Sequence, residues 1–288
     1  MTHEWKGRHS GVTFGSRNGH SATVVRTHQR RTNHAAPAAS KVLIAGALCL
    51  GSAHARDDAG SENNGTDPTR VTRSAAASYK YDDFFGGSSR HTIQLDLTLP
   101  FGDAKDYSVR LRTPIVGNDV AGNSAFSLGD ASVMVGHVFG LTPKRGYVAQ
   151  GELVFDSASR AELGSGRNVF KATLIHARFL PSGIFAPAIV HSFDLGGDSN
   201  RAKTSATTLD FYYVPRFANP RVFMTLDPAL NFDWEGNRIY PSVATTLGRS
   251  IGHIGSGTAQ LYIKPTLLIG GERPSQWSIE AGFKVIGF

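Results

Sequence analysis

The histidines and serines are the first residues to test for chemistry, because many hydrolases activate a serine through a neighbouring histidine. Five histidines lie beyond residue 55: His91, His137, His176, His191 and His253. None belongs to a His-x-Ser pair, and the adjacent His191 and Ser192 would point to opposite faces of a strand. A protease-like group of His191, Asp194 and Asp198 stays open as an alternative. Ordinary polar residues at a strand-to-loop junction are the simpler interpretation.

Metal and phosphate chemistry have little support in the sequence. No histidine or acidic pair beyond residue 55 has the spacing of metal ligands, and the single cysteine, Cys49, precedes that region. The two Gly-Ser-Gly segments, 164–166 and 255–257, lack the Lys-Ser/Thr that completes a phosphate-binding loop. We therefore expect no metal, no cofactor and no enzymatic activity. A lipid hydrolase is kept as the alternative.

Charged residues within alternating segments are the stronger candidates for a functional role. Each lies on the polar side of a segment whose other side is apolar, a pattern typical of strands with two unlike faces. In a closed barrel they would line the lumen. The ten candidates are Asp96, Arg110, Arg112, Glu152, Lys171, Asp210, Asp227, Asp233, Lys264 and Glu280. Their mixed signs allow a narrow or gated pore, which we favour, or a salt-bridge network that closes the lumen.

The elements that would position these residues are strands. Twelve alternating segments occur between residues 77 and 288, without a convincing helix. Most are roughly nine to twelve residues long, the length that a tilted strand needs to cross a membrane. The weakest is the first, 77–82, and 126–139 is apolar on both faces. Pro228 and Pro265 fall inside strands, where proline is unfavourable. The sequence predicts an all-β fold, an antiparallel transmembrane β-barrel of about twelve strands over residues 77–288.

The connections between the strands favour the barrel. Short turns alternate in mid-chain with long polar loops, and aromatic residues lie near strand ends, as in transmembrane barrels. The predicted turns are 101–106, 140–146, 181–183, 217–220 and 249–257, and the long loops are 115–125, 156–168 and 194–206. An even strand number places both barrel termini on one side. A structural or adhesive barrel that acts through loops 156–168 and 194–206 remains an alternative function.

The last strand, 277–288, combines a clear pattern with one irregularity. Trp277, Ile279, Phe283 and Val285 alternate with polar or small residues, but the apolar phase changes at Ile286. We predict a β-bulge near residues 285–287 that restores the phase. A strand that ends the chain on Phe288 resembles the closing strand of outer-membrane barrels. In that resemblance, Phe283, Ile286 and Phe288 form the signal that the barrel assembly machinery reads.

The first 55 residues have the features of an export leader. They hold seven of the 30 Lys and Arg residues and only one acid, Glu4, so most of the net charge of +7 lies there. The charge is therefore no indication of nucleic-acid binding. Lys41 precedes an apolar run over 42–51, and an A-x-A site predicts cleavage after Ala55. Residues 56–76 are polar and aperiodic, which predicts a disordered periplasmic segment.

Several segments resemble a group of bacterial outer-membrane proteins described as transporter-like or as belonging to the meta-pathway of phenol degradation. The resemblance covers most of residues 90–288. It rests on the Leu-Gly-Asp strand start at 128–130, the Gly-Ser-Gly loop at 164–166 and the Lys-Pro strand before the last one. It implies an outer-membrane location, outer-membrane lipids as surroundings and passage of small hydrophobic or aromatic solutes. It implies no catalytic residues, and we expect a monomer.

Overall fold

The computed structural model describes residues 64–119 and 125–288. The predicted leader, with its apolar run at 42–51 and its cleavage site after Ala55, lies outside these residues. Within the part of the chain that is described, no helix is long and apolar enough to cross a membrane.

Within the described residues, thirteen antiparallel strands form one closed sheet. They are β1 (Ser74–Asp83), β2 (Ser89–Phe101), β3 (Tyr107–Asn118), β4 (Ala125–Leu128), β5 (Ser132–Phe139), β6 (Arg145–Val154), β7 (Arg167–Leu180), β8 (Gly183–Gly197), β9 (Ser205–Pro215), β10 (Val222–Asp233), β11 (Arg238–Ile254), β12 (Gly257–Leu268) and β13 (Trp277–Ile286). Because β4 and β5 both pair with β3, the ring has twelve strand positions, and β1 closes it against β13. The predicted twelve-strand antiparallel barrel is confirmed.

The alternation in the sequence corresponds to the two faces of the barrel wall. Apolar side chains on the outer face are strongly exposed, as Leu95 (47%), Leu111 (45%) and Leu174 (49%) show. The residues between them point inward, and they include buried polar side chains such as Gln150 and Glu280. An apolar outside and a polar inside reverse the arrangement of a soluble barrel and are typical of barrels that cross membranes.

The connections at the two ends of the barrel differ in length. We call the end where β1 begins and β13 finishes the lower rim, and the opposite end the upper rim. Two lower-rim turns have only two residues, 181–182 and 255–256, whereas upper-rim connections include 155–166 and 198–204. The predicted turn 249–257 is wrong, because β11 runs on to Ile254. The register of β11 against β12 shifts between Ser250 and Gly252, and this bulge lets the longer strand remain paired.

The predicted strand 126–139 is interrupted. Residues 129–131 separate β4 from β5, and the amide of Gly129 donates to the carbonyl of Pro114 at 2.9 Å. The interruption changes which residues face inward, because Ala125 is buried in β4 whereas Ser132 and Met134 are buried in β5. The two apolar faces of this segment therefore belong to two short strands with opposite phase.

Pro228 and Pro265, the two prolines that the sequence predicts inside strands, are tolerated because the ladder is interrupted beside them. Pro228 in β10 pairs with Val243 of β11, but on its other side the β9–β10 ladder omits this position. Pro265 in β12 pairs with Ile279 of β13, and the β11–β12 ladder is likewise omitted there. Each proline thus presents its missing N–H where no ladder bond is made.

The first strand begins earlier than predicted, at Ser74 rather than Ala77. The expectation of a disordered segment over 56–76 is therefore corrected for its described part. Residues 64–73, which precede β1, lie inside the barrel, and Thr66, Thr69 and Val71 are buried. We call residues 64–73 the inner segment.

The predicted bulge in the last strand is wrong. The register of β13 is continuous on both sides, and Ile286 pairs with Ser74 of β1 and Thr258 of β12. Ile286 points inward and is 3% exposed. The would-be Cβ of Gly65 lies 2.9 Å from the Ile286 side chain, so the inner segment covers this isoleucine. An apolar residue in the inward phase is explained by the apolar contact that it makes.

The other two residues of the predicted assembly signal lie elsewhere. Phe283 is on the outer face, where it pairs with Ala77 of β1 and Leu261 of β12. Phe288 is 40% exposed at the lower rim, and the guanidinium of Arg73 lies 6.0 Å from the centre of its ring. Ile286 is thus separated from Phe283 and Phe288 by the barrel wall.

Candidate functional site

Four of the predicted charged residues form a continuous chain of ion pairs on one wall of the lumen. We call this chain the charge ladder: Asp96, Arg112, Glu152 and Lys171, on β2, β3, β6 and β7. Arg112 Nε lies 2.9 Å from Asp96 Oδ1, and its Nη1 lies 3.4 Å from Glu152 Oε1. Lys171 Nζ lies 3.3 Å from Glu152 Oε2. Because the signs alternate, each buried charge has an opposite neighbour.

Glu152 is the central member of the charge ladder. Besides the two cations it accepts a hydrogen bond from the Ser132 hydroxyl at 2.6 Å. The neighbouring Arg110, 6% exposed, donates from Nη2 to the sulfur of Met134 at 2.8 Å. The ladder thereby fixes the wall made by β2, β3 and β5 to β7.

A second charged group occupies the opposite wall. Lys264 on β12 lies 3.5 Å from Asp227 on β10 and is the direct strand neighbour of Glu280 on β13. The hydroxyl of Tyr262 donates to Glu280 at 2.7 Å. Asp210 on β9 is 3% exposed. Among the described residues, one carboxyl oxygen of Asp210 and one of Asp227 are buried without a hydrogen-bond partner.

Asp233, the tenth candidate, belongs to neither wall group. It lies at the upper rim, where its carboxylate accepts from the amide of Gly236 at 2.8 Å and from Arg238 Nε at 3.0 Å. These bonds close the turn between β10 and β11. The structure therefore assigns Asp233 to a hairpin rather than to the central lumen.

The inner segment lies in the lumen near the lower rim and contacts several strands. Tyr212 Oη donates to the carbonyl of Thr66 at 2.9 Å, and Gln260 Nε2 donates to the carbonyl of Asn64 at 3.2 Å. The carboxylate of Asp67 accepts hydrogen bonds from the amide and the hydroxyl of Thr69, both at 2.8 Å, and these bonds hold the segment in a tight turn. The segment is thus anchored to two strands of the same wall, β9 and β12, which are three positions apart in the ring.

An apolar patch lies beneath the inner segment. Val71 packs into it, against inward-facing side chains of β5 to β9 near the lower rim. The members of the patch are Val138, Val148, Ile175, Ala177, Ala186, Ala188, Tyr212 and Val214. The lumen wall near the lower rim is therefore apolar from β5 to β9, in contrast to the charged groups elsewhere on the wall.

Two connected loops lie at the upper rim, and we call them the cap: residues 155–166 and 198–204. Asp130, in the interruption between β4 and β5, accepts from the amide of Ser165 at 2.6 Å and its hydroxyl at 2.9 Å. The same carboxylate accepts hydrogen bonds from the backbone amides of Ser157 and Ala158. Arg201 from the second loop donates to the carbonyl of Ser165 at 3.2 Å and also to that of Gly164. Leu-Gly-Asp (128–130) and Gly-Ser-Gly (164–166) therefore meet in one anchor.

The lumen beside the inner segment contains a cavity. Its empty volume is about 820 Å³, including the part open to solvent. It is lined by Thr66 of the inner segment and by charged residues of both walls, Asp96, Arg110, Asp227, Lys264 and Glu280. Tyr212, Gln260, Tyr262 and Lys284 also line it and are not among the ten candidates. Tyr262 and Lys284 do lie on the polar side of their strands, and this signal could have identified them.

The alternative catalytic group is not assembled. His191 bonds to the hydroxyl of Thr207 at 3.0 Å, and Asp194 pairs with Arg167 at 2.8 Å. The carboxylate of Asp198 binds the backbone and side chain of Asn200. The three side chains thus have separate partners. Within residues 64–119 and 125–288, no three His, Cys, Asp or Glu side chains converge as metal ligands.

Solved structures with the same architecture are outer-membrane channels. An outer-membrane channel from Pseudomonas putida F1 superposes with a TM-score of 0.61 at 9% identity, covering 75% of this chain and 95% of that one. The NanC porin superposes with a TM-score of 0.50 at 12% identity, covering 75% of this chain and 98% of the porin. These likenesses define the fold as that of outer-membrane β-barrel channels.

No protein-family model and no curated protein matches the chain. The resemblance to the phenol meta-pathway group therefore stays a prediction.

Proposed function

We propose that this protein is an outer-membrane channel for small hydrophobic or aromatic solutes, whose lumen is closed at the lower rim by the inner segment. The observation that carries this proposal is a closed twelve-strand barrel in which, among the described residues, the ten residues of the inner segment occupy the lower lumen. Its apolar outer face requires a lipid environment, and its ring is complete within one chain, so we propose a monomer.

The apolar patch supports the solute class. Val71 covers inward-facing apolar side chains that would otherwise face water. Burying apolar area is favourable by about 25 cal/mol per Å². A solute with an apolar or aromatic body would gain that free energy when it replaces Val71 beside the patch. Charged side chains across the lumen from the patch, chiefly Lys264 and Glu280, would bind polar substituents of the same solute.

Planar-bilayer recording and vesicle uptake test this proposal. We expect small unitary currents for the native chain and currents several-fold larger when residues 64–72 are deleted, because the deletion removes the inner segment. Uptake of an aromatic carboxylate should exceed uptake of a sugar of equal size. A deletion variant that conducts no better than the native chain would refute the closing role. Equal uptake of both solutes would refute the solute class.

A further inference from the structure

The outer face at the lower rim carries an unusual pair of residues. Arg145 of β6 and Arg178 of β7 are direct cross-strand neighbours, and both are exposed. Like charges placed opposite each other on one sheet face are destabilising. None of the ion pairs within residues 64–119 and 125–288 supplies either arginine with an acid. The two arginines therefore lack an acidic partner among these residues, and an anion from outside the chain would supply the opposite charge.

The next outward-facing pair along these two strands is aromatic. Tyr147 and His176 are the neighbouring cross-strand pair on the same face, with ring centroids 4.8 Å apart and nearly parallel planes. The Arg145 guanidinium lies 5.9 Å from the centre of the Tyr147 ring. Nε2 of His176 is buried and has no hydrogen-bond partner among the described residues.

This aromatic pair ends a longer row of rings. Stacked contacts run across β2, β3, β5, β6 and β7 through Phe101, Tyr107, His137, Phe139, Tyr147 and His176. Aromatic rows of this kind lie where the hydrocarbon of a bilayer meets its headgroups. Arg145 and Arg178 are on the rim side of the row, at the depth where lipid phosphates lie.

We propose that Arg145 and Arg178, with Lys144 beside them, bind the phosphate of an anionic phospholipid in the leaflet at the lower rim. The acyl chains of that lipid would follow the apolar outer face, where Leu174 lies one step beyond the aromatic pair. Two guanidinium groups suit a phosphate because each presents a planar set of donors. A lipid, rather than a free anion, is favoured because the site adjoins the apolar wall. The inference depends on the membrane location that the proposed function includes.

Native mass spectrometry of the folded chain in detergent tests the site, with dioleoylphosphatidylglycerol and dioleoylphosphatidylethanolamine as separate probes. We expect the native chain to prefer phosphatidylglycerol. The double variant Arg145→Gln, Arg178→Gln should bind it on the order of 25-fold more weakly, because each basic side chain at a membrane surface contributes about fivefold. The matched control is Arg216→Gln, Arg249→Gln, which removes two exposed arginines from the same rim on the other side of the barrel.

A second variant keeps the test independent of folding. Arg178→Glu places an acid opposite Arg145, so the barrel should fold at least as well while phosphatidylglycerol binding is lost. Equal binding by the native chain and the double variant would overturn the proposal, as would an equal loss in the control. Displacement of the lipid by millimolar inorganic phosphate would also overturn it in favour of a free-anion site. Failure of the folded chain to insert into vesicles of either lipid would instead refute the membrane location.

Discussion

Ile286 illustrates how a residue that breaks a sequence pattern can mark a contact. Its side chain is apolar in a phase that is otherwise polar, which predicted a bulge. The structure keeps the phase and places the inner segment over the side chain. The alternation distinguishes two environments for a side chain, the outer face and a polar lumen. Ile286 occupies a third environment, the contact with the inner segment.

Asp130 should control the order of the cap. The variant Asp130→Asn keeps the size of the side chain but weakens four hydrogen bonds from the loop 155–166. We expect trypsin to cleave the folded variant after Arg160 several-fold faster than the native chain, because local opening exposes the loop. Limited proteolysis followed by mass spectrometry measures this rate. Asp156→Asn, in the same loop, is the control and should leave it unchanged.

Glu152 should matter for both stability and ion preference. The variant Glu152→Gln leaves Arg112 and Lys171 without their shared carboxylate, so we expect a loss of about 2 kcal/mol in the free energy of unfolding. Urea titration in detergent measures it. The added positive charge should also shift the reversal potential in a salt gradient toward anions. Glu235→Gln, an exposed change at the upper rim, makes the same charge difference. It should alter neither the free energy of unfolding nor the reversal potential.

At the scale of elements, the inner segment decides whether the lumen is closed. Gly65 has φ of +70°, and an added Cβ would lie 2.9 Å from Lys284 Nζ and from the Ile286 side chain. We expect Gly65→Val to displace the segment and to raise single-channel conductance. Gly87→Val is the control, because Gly87 has φ of +78° but nothing within 4 Å. Backbone strain is then matched, and unchanged conductance in both variants would show that the segment does not close the lumen.

The inner segment also predicts a dependence on pH. Burial raises the pKa of Asp67 above its ordinary value of 3.8, although bonds from Thr69 and the charge of Arg70 oppose the rise. Docking therefore favours the protonated carboxyl and is strongest below that ordinary value. It weakens as pH rises through the raised pKa. We expect the conductance to be higher at about pH 7 than at about pH 4.

The variant Asp67→Asn isolates this titration from that of other groups in the lumen. It should reduce the ratio of conductances at the two pH values, because an amide does not ionise. Asp103→Asn, an exposed change in a lower-rim turn, should keep the native ratio. An unchanged ratio in Asp67→Asn would assign the pH response to other groups.

The elements were predictable to different degrees for physical reasons. Alternation identifies strands because a barrel wall has two unlike faces. It also predicted the inward position of nine of the ten charged candidates: eight belong to the two wall groups, and Arg110 lies beside the charge ladder. The inner segment has no such period, and its one apolar anchor is Val71. Its contacts are distant in sequence, as the bond from Tyr212 to Thr66 shows. The interruption at 129–131 was hidden because both of its flanks are apolar.

At the scale of the whole molecule, closure depends on the pairing of the first strand with the last. Ala77 of β1 pairs with Phe283 of β13, and facing Cα atoms in such pairs are about 4.5–5.5 Å apart, within reach of a disulfide. In a Cys49→Ser background, Ala77→Cys with Phe283→Cys should cross-link under mild oxidation. The resulting covalent ring should migrate differently on a denaturing gel until it is reduced.

The control for this cross-link is Ala77→Cys with Trp277→Cys. Trp277 faces Asp83, so it lies six residues along β13 from the partner of Ala77 and roughly 20 Å away. No cross-link should form there. Equal cross-linking of both pairs would contradict the register, and none in either would contradict closure.

The hydrogen bond from the amide of Gly287 to the carbonyl of Arg73 has a consequence for the order of folding. It continues the β1–β13 ladder past the end of both strands and into the residues that fill the lumen. The β1–β13 pairing that completes the ring is therefore hydrogen-bonded directly to the last residue of the inner segment. We therefore expect the ring to close and the inner segment to dock in the same step of folding, before an open pore can form in the membrane.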